Sequence, residues 1–414
     1  MSGAVGIIGA GAAGLMAAVF AAQVGAEVVV IESNTSAGRK LLKTGGGRCN
    51  LTNFTKTAEL LKAYRPYDKF LRYSLYEFSP EDVIQFFNTR NINTCVEPNG
   101  SVFPASNRAN DILDVLTREC QKLKVKFLYD KKVSDILKVE DGFIVKAANK
   151  EITFRSIIIA TGGASWSVTG STGDGYRLAE NLGHKVVTPR ASLVPLVTSE
   201  KWVKYLAGVA LDNIRISANI ENKKVSAAGA LVFTSTGIGG PAVLNFSRMV
   251  VDRLISGALP ISIDILPEYN FEQLFDVIKK SCEENSKKDI TTVISFLLPR
   301  SVACEIYNIT DADQNLKAGQ LSRNLCHKIC SLIKALPVTI IAARSLQEAT
   351  ITRGGVDTSE IDDKTMQSKL VKGLFFAGEV IDADGPCGGY NLQIAWSTGA
   401  LAGKSAAAAL NSNI

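Results

Sequence analysis

The stretch Val5–Glu32, VGIIGAGAAGLMAAVFAAQVGAEVVVIE, constrains the fold more than any other part of the chain. It reads as an apolar strand, a glycine turn, a helix and a second apolar strand that ends in an acid. Gly9, Gly11 and Gly14 form G-x-G-x-x-G: the first glycine makes the tight turn, the second lets the backbone approach a pyrophosphate, and the third lets the helix pack on the strand. Ala12 and Ala13 open that helix, where unpaired N–H groups and the helix dipole favour an anion. Glu32 follows Gly14 by 18 residues, close to the spacing of about 20 expected of the acid that holds an adenosine ribose. A carboxylate there repels a 2′-phosphate, so the site suits FAD or NAD better than NADP.

The 414 residues suggest two or three domains, and a 46% hydrophobic content is ample for real cores. A net charge of +6 from 46 basic and 40 acidic residues is mild for this length and argues against a dedicated nucleic-acid binder. The eight cysteines are scattered without C-x-x-C, which predicts reduced thiols in a cytoplasmic protein and no metal site. No lysine or arginine precedes Arg39, so a secretory leader is not expected. No window of 18 uninterrupted apolar residues predicts a membrane span.

Residues 33 to 53, SNTSAGRKLLKTGGGRCNLTN, place Gly45–Gly47 among Arg39, Lys40, Lys43 and Arg48. A flexible cationic loop after the second strand faces the ligand crevice of a Rossmann sheet. Thr57 to Phe87 reads as helical, with Ser79 as N-cap and Pro80 at the first helical position. Thr94 to Phe103 predicts a hairpin turning at Asn99-Gly100, and Asn110 to Lys122 an amphipathic helix. The lysines between Lys122 and Lys132 alternate with apolar residues, as in a half-buried edge strand. Val133 to Ile159 predicts three short strands, the last uniformly β-branched and buried on both faces. It enters a second glycine turn at Thr161-Gly162-Gly163, and Gly170 to Gly175 adds a third glycine-rich segment.

Residues 189 to 266 alternate in the manner of a small antiparallel barrel or sandwich, and 270 to 336 read as helical. A buried strand returns at Leu374–Ala377, followed by Gly378-Glu379 and a helix from about Leu392 to Leu410. A strand, glycine turn and helix so late complete the first sheet only if the chain leaves that domain and comes back. The expected fold is therefore α/β: a discontinuous Rossmann-type FAD-binding domain (1–188 with 351–414), a β-barrel-like insert (189–268 with 337–350) and a helical insert (269–336).

GRKLLKTGGGRCNLTN, ATGGASW, FTSTGIGGPAVLNFS, TRGGV and GLFFAGEVIDADGPCGGYNLQIAWSTGALAG resemble, in sequence and in order, the bacterial BaiN-like and aminoacetone-oxidase-like FAD-dependent oxidoreductases. The resemblance implies a discontinuous FAD domain with barrel and helical inserts. It places Glu32 on the adenosine ribose, Arg39 and Lys40 along the cofactor, and Gly47, Arg48, Cys49 and Asn50 along the isoalloxazine. Val133 meets the adenine, Thr161 and Gly162 pass the pyrophosphate, and Gly378 and Glu379 approach the ribityl or phosphate region. Asn391 and Leu392 present backbone N–H groups to the pyrimidine end. Donors at a helix start there favour the reduced, anionic flavin.

Family members carry a histidine where this chain has Ser235 and an acid where it has Ala230. Only His184 and His327 are present. His184 is expected at the surface and His327 as an ordinary residue of the helical insert. Acid–base candidates are therefore Tyr390, Lys43 and Cys49, with Cys387 as a possible redox partner of Cys49. The expected activity is hydride transfer at flavin N5 to or from a small-molecule enone, ketosteroid or amine. NAD(P)H binding transiently at the flavin face, or oxygen, serves as second partner. The alternatives are an RNA-modifying flavoprotein, which needs a basic face around the cleft, and a non-catalytic FAD sensor. Oligomeric state is left open by the sequence.

Overall fold

The computed structural model describes residues 4–148 and 150–411, and the chain divides into two compact units, Met1–Ser192 with Leu346–Ile414 and Leu193–Ser345. The first unit is built on a five-stranded sheet in the order Leu374–Phe376, Ser156–Ile159, Val5–Ile8, Val28–Ile31, Lys126–Leu128, with neighbours pairing in parallel. Its central strands are buried end to end, as their unbroken valine and isoleucine runs require in a sheet covered on both faces. The late strand Leu374–Phe376 lies against Ser156–Ile159, so the chain does return to its first sheet.

Covering that sheet, the helix Ala12–Gln23 is apolar almost all round and buried along most of its length. It packs against the C-terminal helix Tyr390–Asn411, and small residues set how closely. A Cβ at Gly399 would lie 2.5 Å from the Ala13 carbonyl oxygen, and one at Gly403 2.3 Å from that of Ala17. The two helix backbones therefore touch directly, which only glycine at both positions allows.

Thr57 to Phe87 forms three helices, Thr57–Ala63, Asp68–Glu77 and Pro80–Asn88, rather than one run. The last begins with the expected Ser79 cap, completed as a capping box by Asp82. Val133 to Ile159 contains four strands, not three. Val133–Val139, Gly142–Ala147 and Lys150–Phe154 make an antiparallel sheet of their own, and Ser156–Ile159 joins the main sheet. Strand-favouring residues on both sides, 152–154 and 157–159, hid the change of sheet at Arg155.

In the second unit six strands close a barrel: Leu196–Thr198, Gly237–Gly239, Lys223–Thr234, Ala210–Ile220, Leu259–Asp264 and Leu336–Ala343. Four helices, Phe271–Glu284, Ile290–Ile294, Arg300–Ile309 and Arg323–Lys334, are inserted between its last two strands. Their apolar faces and the barrel interior form one hydrophobic cluster, in which Phe233, Ile263, Ile306 and Ile329 are almost fully buried. Lys334 anchors the return to the barrel, pairing with Asp264 at 2.9 Å and donating to the Leu266 carbonyl at 2.8 Å.

Candidate functional site

The glycine turn is built as its sequence demands. A Cβ at Gly14 would lie 2.0 Å from the Gly9 carbonyl oxygen, and one at Gly9, where φ is +103°, would lie 2.5 Å from that of Ala160. Gly11 is the opposite case, because a Cβ there would meet nothing within 4 Å. The helix begins at Ala12, behind Gly11 as N-cap, so its first N–H groups open onto that free space. Glu32 is buried, accepting from the Ala10 N–H at 2.7 Å and from the Asn34 N–H at 2.8 Å. A carboxylate, a helix N-terminus and a cradle that only glycine leaves open fit the adenosine and pyrophosphate of a dinucleotide.

Three far-separated segments then converge on Glu379. Its Oε2 accepts from Lys40 Nζ at 2.7 Å, while its Oε1 accepts from the Thr352 N–H at 2.8 Å and Ser165 Oγ at 3.2 Å. Lys40 also donates to Ser165 Oγ at 2.8 Å. Thr352 Oγ1 accepts from the N–H groups of Ala164 and Ser165 at 2.8 and 2.9 Å. The loop after the second strand, the second glycine turn and the strand Ile351–Val356 are thereby tied to the late Gly378-Glu379 turn. Gly378 itself has φ +74°, and a Cβ there would lie 2.7 Å from that of Ala13. Thr161 stands beside the first glycine turn, its Cα 3.0 Å from where a Gly9 Cβ would lie, and Gly162 has φ +75°. Val133 is buried at the start of its strand.

The cationic loop divides in its roles. Arg39 is exposed and donates to Asn34 Oδ1 at 2.7 Å. Lys43 is exposed, and Gly46 and Gly47 face open space. Arg48 pairs with Glu97 at 2.8 Å and lies 3.9 Å over the Phe103 ring, so its charge is partly spent within the protein. Asn50 is half-buried, with its N–H beside Gly45. Cys49 has φ +63° and is wholly buried. Burial pushes its thiol up to about 12, so it stays protonated and offers no thiolate at neutral pH. Cys387 is likewise pushed up to about 12 by burial, and neither cysteine is part of a disulfide. A buried, protonated thiol is not a nucleophile at neutral pH.

The late segment is anchored through long-range contacts. A Cβ at Gly389, where φ is +93°, would lie 2.2 Å from the Thr52 carbonyl oxygen. Asn53 Nδ2 donates to the Gly388 carbonyl at 3.1 Å, Trp396 Nε1 to that of Leu51 at 2.9 Å, and Thr52 Oγ1 to Gln393 Oε1 at 2.6 Å. The Asn391 side chain is engaged in closing the loop before the helix. Its Oδ1 accepts from the Gly385 N–H at 2.8 Å and its Nδ2 donates to the Gly385 carbonyl at 2.9 Å. Leu392 is half-buried in the first helical turn. Tyr390 is half-buried, edge-on to Tyr64 with ring centroids 5.8 Å apart, and burial raises its phenol pKa.

Sequence reasoning missed Asn34, Ser165, Thr352, Tyr67 and Asp382. Thr352 and Asp382 lie inside motifs already recognised, TRGGV and GEVIDADG, and those motifs were the available signal. Tyr67, in the linker between two helices, gave none. It also misplaced His184, whose side chain is fully buried. Ser368 Oγ accepts from the N–H groups of Leu370 and Val371 at 3.0 and 2.8 Å, so its own hydrogen is left for His184 Nε2 at 2.8 Å. The imidazole proton then sits on Nδ1, facing Glu360 Oε2 at 3.1 Å. The ring also packs edge-on against Phe376, with centroids 4.9 Å apart. A histidine after a helix and glycine looked exposed; the strand beside it closed over it.

A parallel sheet with this turn, acid and returning strand defines a Rossmann-type FAD-dependent oxidoreductase. Residues 4–405 match the family described as HI0933-like protein Rossmann domain, and the chain belongs to that family. It is 30% identical over 407 residues to the 3-dehydro-bile acid delta(4,6)-reductase of Clostridium scindens, covering 97% of this chain and 98% of the relative. It is 33% identical over 398 residues to the ribosomal RNA dihydrouridine synthase of Haemophilus influenzae, covering 95% of each. Its fold is similar to that of 3-ketosteroid delta1-dehydrogenase from Sterolibacterium denitrificans, with a TM-score of 0.54 at 14% identity, covering 98% of this chain and 99% of that one. Among the described residues no helix is long and apolar enough to cross a membrane.

Proposed function

We propose that the protein reduces a carbon–carbon double bond conjugated to a carbonyl. The observation that carries this reading is chemical convergence between two relatives with different names. A delta(4,6)-reductase of a 3-dehydro steroid and a dihydrouridine synthase both saturate a bond next to a carbonyl. Each matches this chain over nearly its full length, so the shared reaction is a better guide than either substrate.

The FAD, when bound, supplies the hydride. The chain's own residues do the rest by binding and orienting. Gly9, Gly11, Ala12, Ala13 and Gly14 hold the pyrophosphate, Glu32 the ribose, and Gly47, Arg48, Asn50, Asn391 and Leu392 the ring system. Lys40 and Glu379 lock the glycine turns around the middle of the cofactor. One G-x-G-x-x-G serves one resident dinucleotide, so NAD(P)H acts as a transient reductant at the same face.

A compact enone is the preferred substrate, because charge is spread evenly through the chain. Residues 193–345 carry 17 basic and 14 acidic residues and the remainder 29 and 26, so neither unit forms a strongly basic body. A uracil in ribosomal RNA is the second reading, favoured by the Haemophilus relative. Purified protein reduced anaerobically and mixed with a 4-en-3-one steroid, or with rRNA lacking dihydrouridine, decides between them. Return of the oxidised flavin spectrum identifies the acceptor, and a product gaining two hydrogens by mass spectrometry confirms it. Reoxidation by neither acceptor would refute the reading.

A further inference from the structure

Saturating a conjugated bond requires a proton as well as a hydride, and this inference rests on the reaction proposed above. Cys49 is sealed in the core, Lys43 projects into solvent from its loop, and His184 is locked in its clamp. The Tyr390 phenol interacts with Thr55. Tyr67 stands apart. It is half-buried in the linker between helices Thr57–Ala63 and Asp68–Glu77, and its hydroxyl donates to Asp382 Oδ1 at 3.2 Å.

Asp382 lies three residues after Glu379, on the strap that leads to the start of the C-terminal helix. The same Oδ1 accepts from the Gly354 N–H at 3.0 Å, next to Thr352, which holds Glu379. Tyr64, three residues before Tyr67, donates through its hydroxyl to the Tyr390 carbonyl at 2.9 Å at the far end of that strap. The two tyrosines thus flank the segment that joins the two ends of the candidate cofactor site.

We propose that the Tyr67 phenol delivers the proton to the substrate carbon and that Asp382 positions and recharges it. Hydride addition at the β-carbon, with its electron pair drawn from the reduced flavin, leaves an enolate. The Tyr67 O–H bond then breaks as the α-carbon C–H bond forms. The phenolate regains a proton through Asp382, which takes one from water. Burial pushes the Tyr67 phenol up to about 12, so it holds its proton at neutral pH, and burial also shifts the Asp382 carboxyl upward, toward its protonated form. The charged groups in electrostatic reach of Asp382 are Arg353, which favours its anion, and Asp384, which opposes it.

The test uses the FAD-loaded enzyme, reduced anaerobically and mixed with a 4-en-3-one steroid and, separately, with rRNA lacking dihydrouridine and with oxygen. Tyr67→Phe is expected to slow oxidation by the conjugated acceptor by 10²–10⁴-fold. FAD content, oxidation by oxygen, and acceptor affinity read from the spectral shift of oxidised flavin should stay within about threefold, since general-acid loss leaves binding intact. The wild-type rate should fall as rising pH deprotonates Asp382, and Asp382→Asn should abolish that limb of the profile. An unchanged rate in Tyr67→Phe overturns the proposal, as does equal slowing with oxygen or loss of FAD, which would mark a structural role. If wild-type enzyme is oxidised by neither conjugated acceptor, the functional reading itself fails.

Discussion

The two glycine turns that meet at the candidate cofactor site are made in different ways. At Gly9–Gly14 two of the constraints are near in sequence, Gly14 clearing a carbonyl five residues away and Glu32 folding back to the Ala10 N–H, and one is distant, Gly9 clearing the Ala160 carbonyl. At Gly378–Leu392 nearly every constraint comes from elsewhere in the chain. Gly378 clears Ala13, Gly389 clears Thr52, and Glu379 is held by Lys40, Ser165 and Thr352. The early turn can be specified largely by a short motif, whereas the late one is held by residues from distant parts of the chain. Sequence patterns report such a site only where its residues are neighbours in the chain.

Substitutions in the early turn should have the largest effect. Gly14→Val places side-chain atoms where even a Cβ lies 2.0 Å from a backbone oxygen, and backbone cannot yield as a flexible side chain can. Loss of bound FAD and of soluble yield is expected. Gly11→Ala adds its methyl into open space, so the fold should survive, with the melting temperature of the flavin-free protein unchanged while FAD affinity falls. If both variants bind FAD normally, the turn is not the pyrophosphate site.

The late turn depends on the helix crossing behind it, and Gly403→Val tests that dependence. The added groups push the C-terminal helix off Ala17, at a cost of about 1–3 kcal/mol for overpacking. The visible flavin spectrum should shift along with the thermal midpoint, because the same helix carries Asn391 and Leu392. A lowered midpoint with an unaltered spectrum would show that the helix start does not touch the ring.

A comparable effect, partly reversed in the double variant, is expected at the ion pair that ties the cationic loop to the late turn. Lys40→Met leaves Glu379 with one fewer donor in a site where both side chains are about four-fifths buried. Leaving such a group unsatisfied costs about 1–3 kcal/mol. Lys40→Met with Glu379→Gln removes the unpaired charge and should recover part of that loss. Simple additivity of the two single variants, by thermal unfolding of the flavin-free protein, would mean the pair does not couple the loop to the late turn.

This division also explains how much the chain disclosed in advance. The parallel sheet, the return of Leu374–Phe376 and the edge position of Lys126–Leu128 were legible because period and burial are written in consecutive residues. So were Glu32 and the Ser79 cap. The break at Arg155 was not, since both flanking stretches favour strand and only pairing tells them apart. Tyr67 and His184 were invisible for a related reason. Their neighbours in space, Asp382 for one and Ser368 and Glu360 for the other, come from segments about 180 or more residues further on.

His184 provides the finest test of the late region, because it braces the strand that delivers Gly378-Glu379. Burial lowers its pKa despite the Glu360 carboxylate beside it. A depressed folded-state value means that the unfolded chain binds the extra proton first, so this contribution is complete above the unfolded pKa of about 6.5. It is lost as pH falls through the folded-state value, with a slope of at most about 1.4 kcal/mol per pH unit for one proton. Unfolding free energies of wild type and His184→Gln, measured side by side between neutral and mildly acidic pH, should converge as the pH drops. Parallel curves would show that acidification leaves the clamp intact and that the late strand is held by its pairing with Ser156–Ile159 alone.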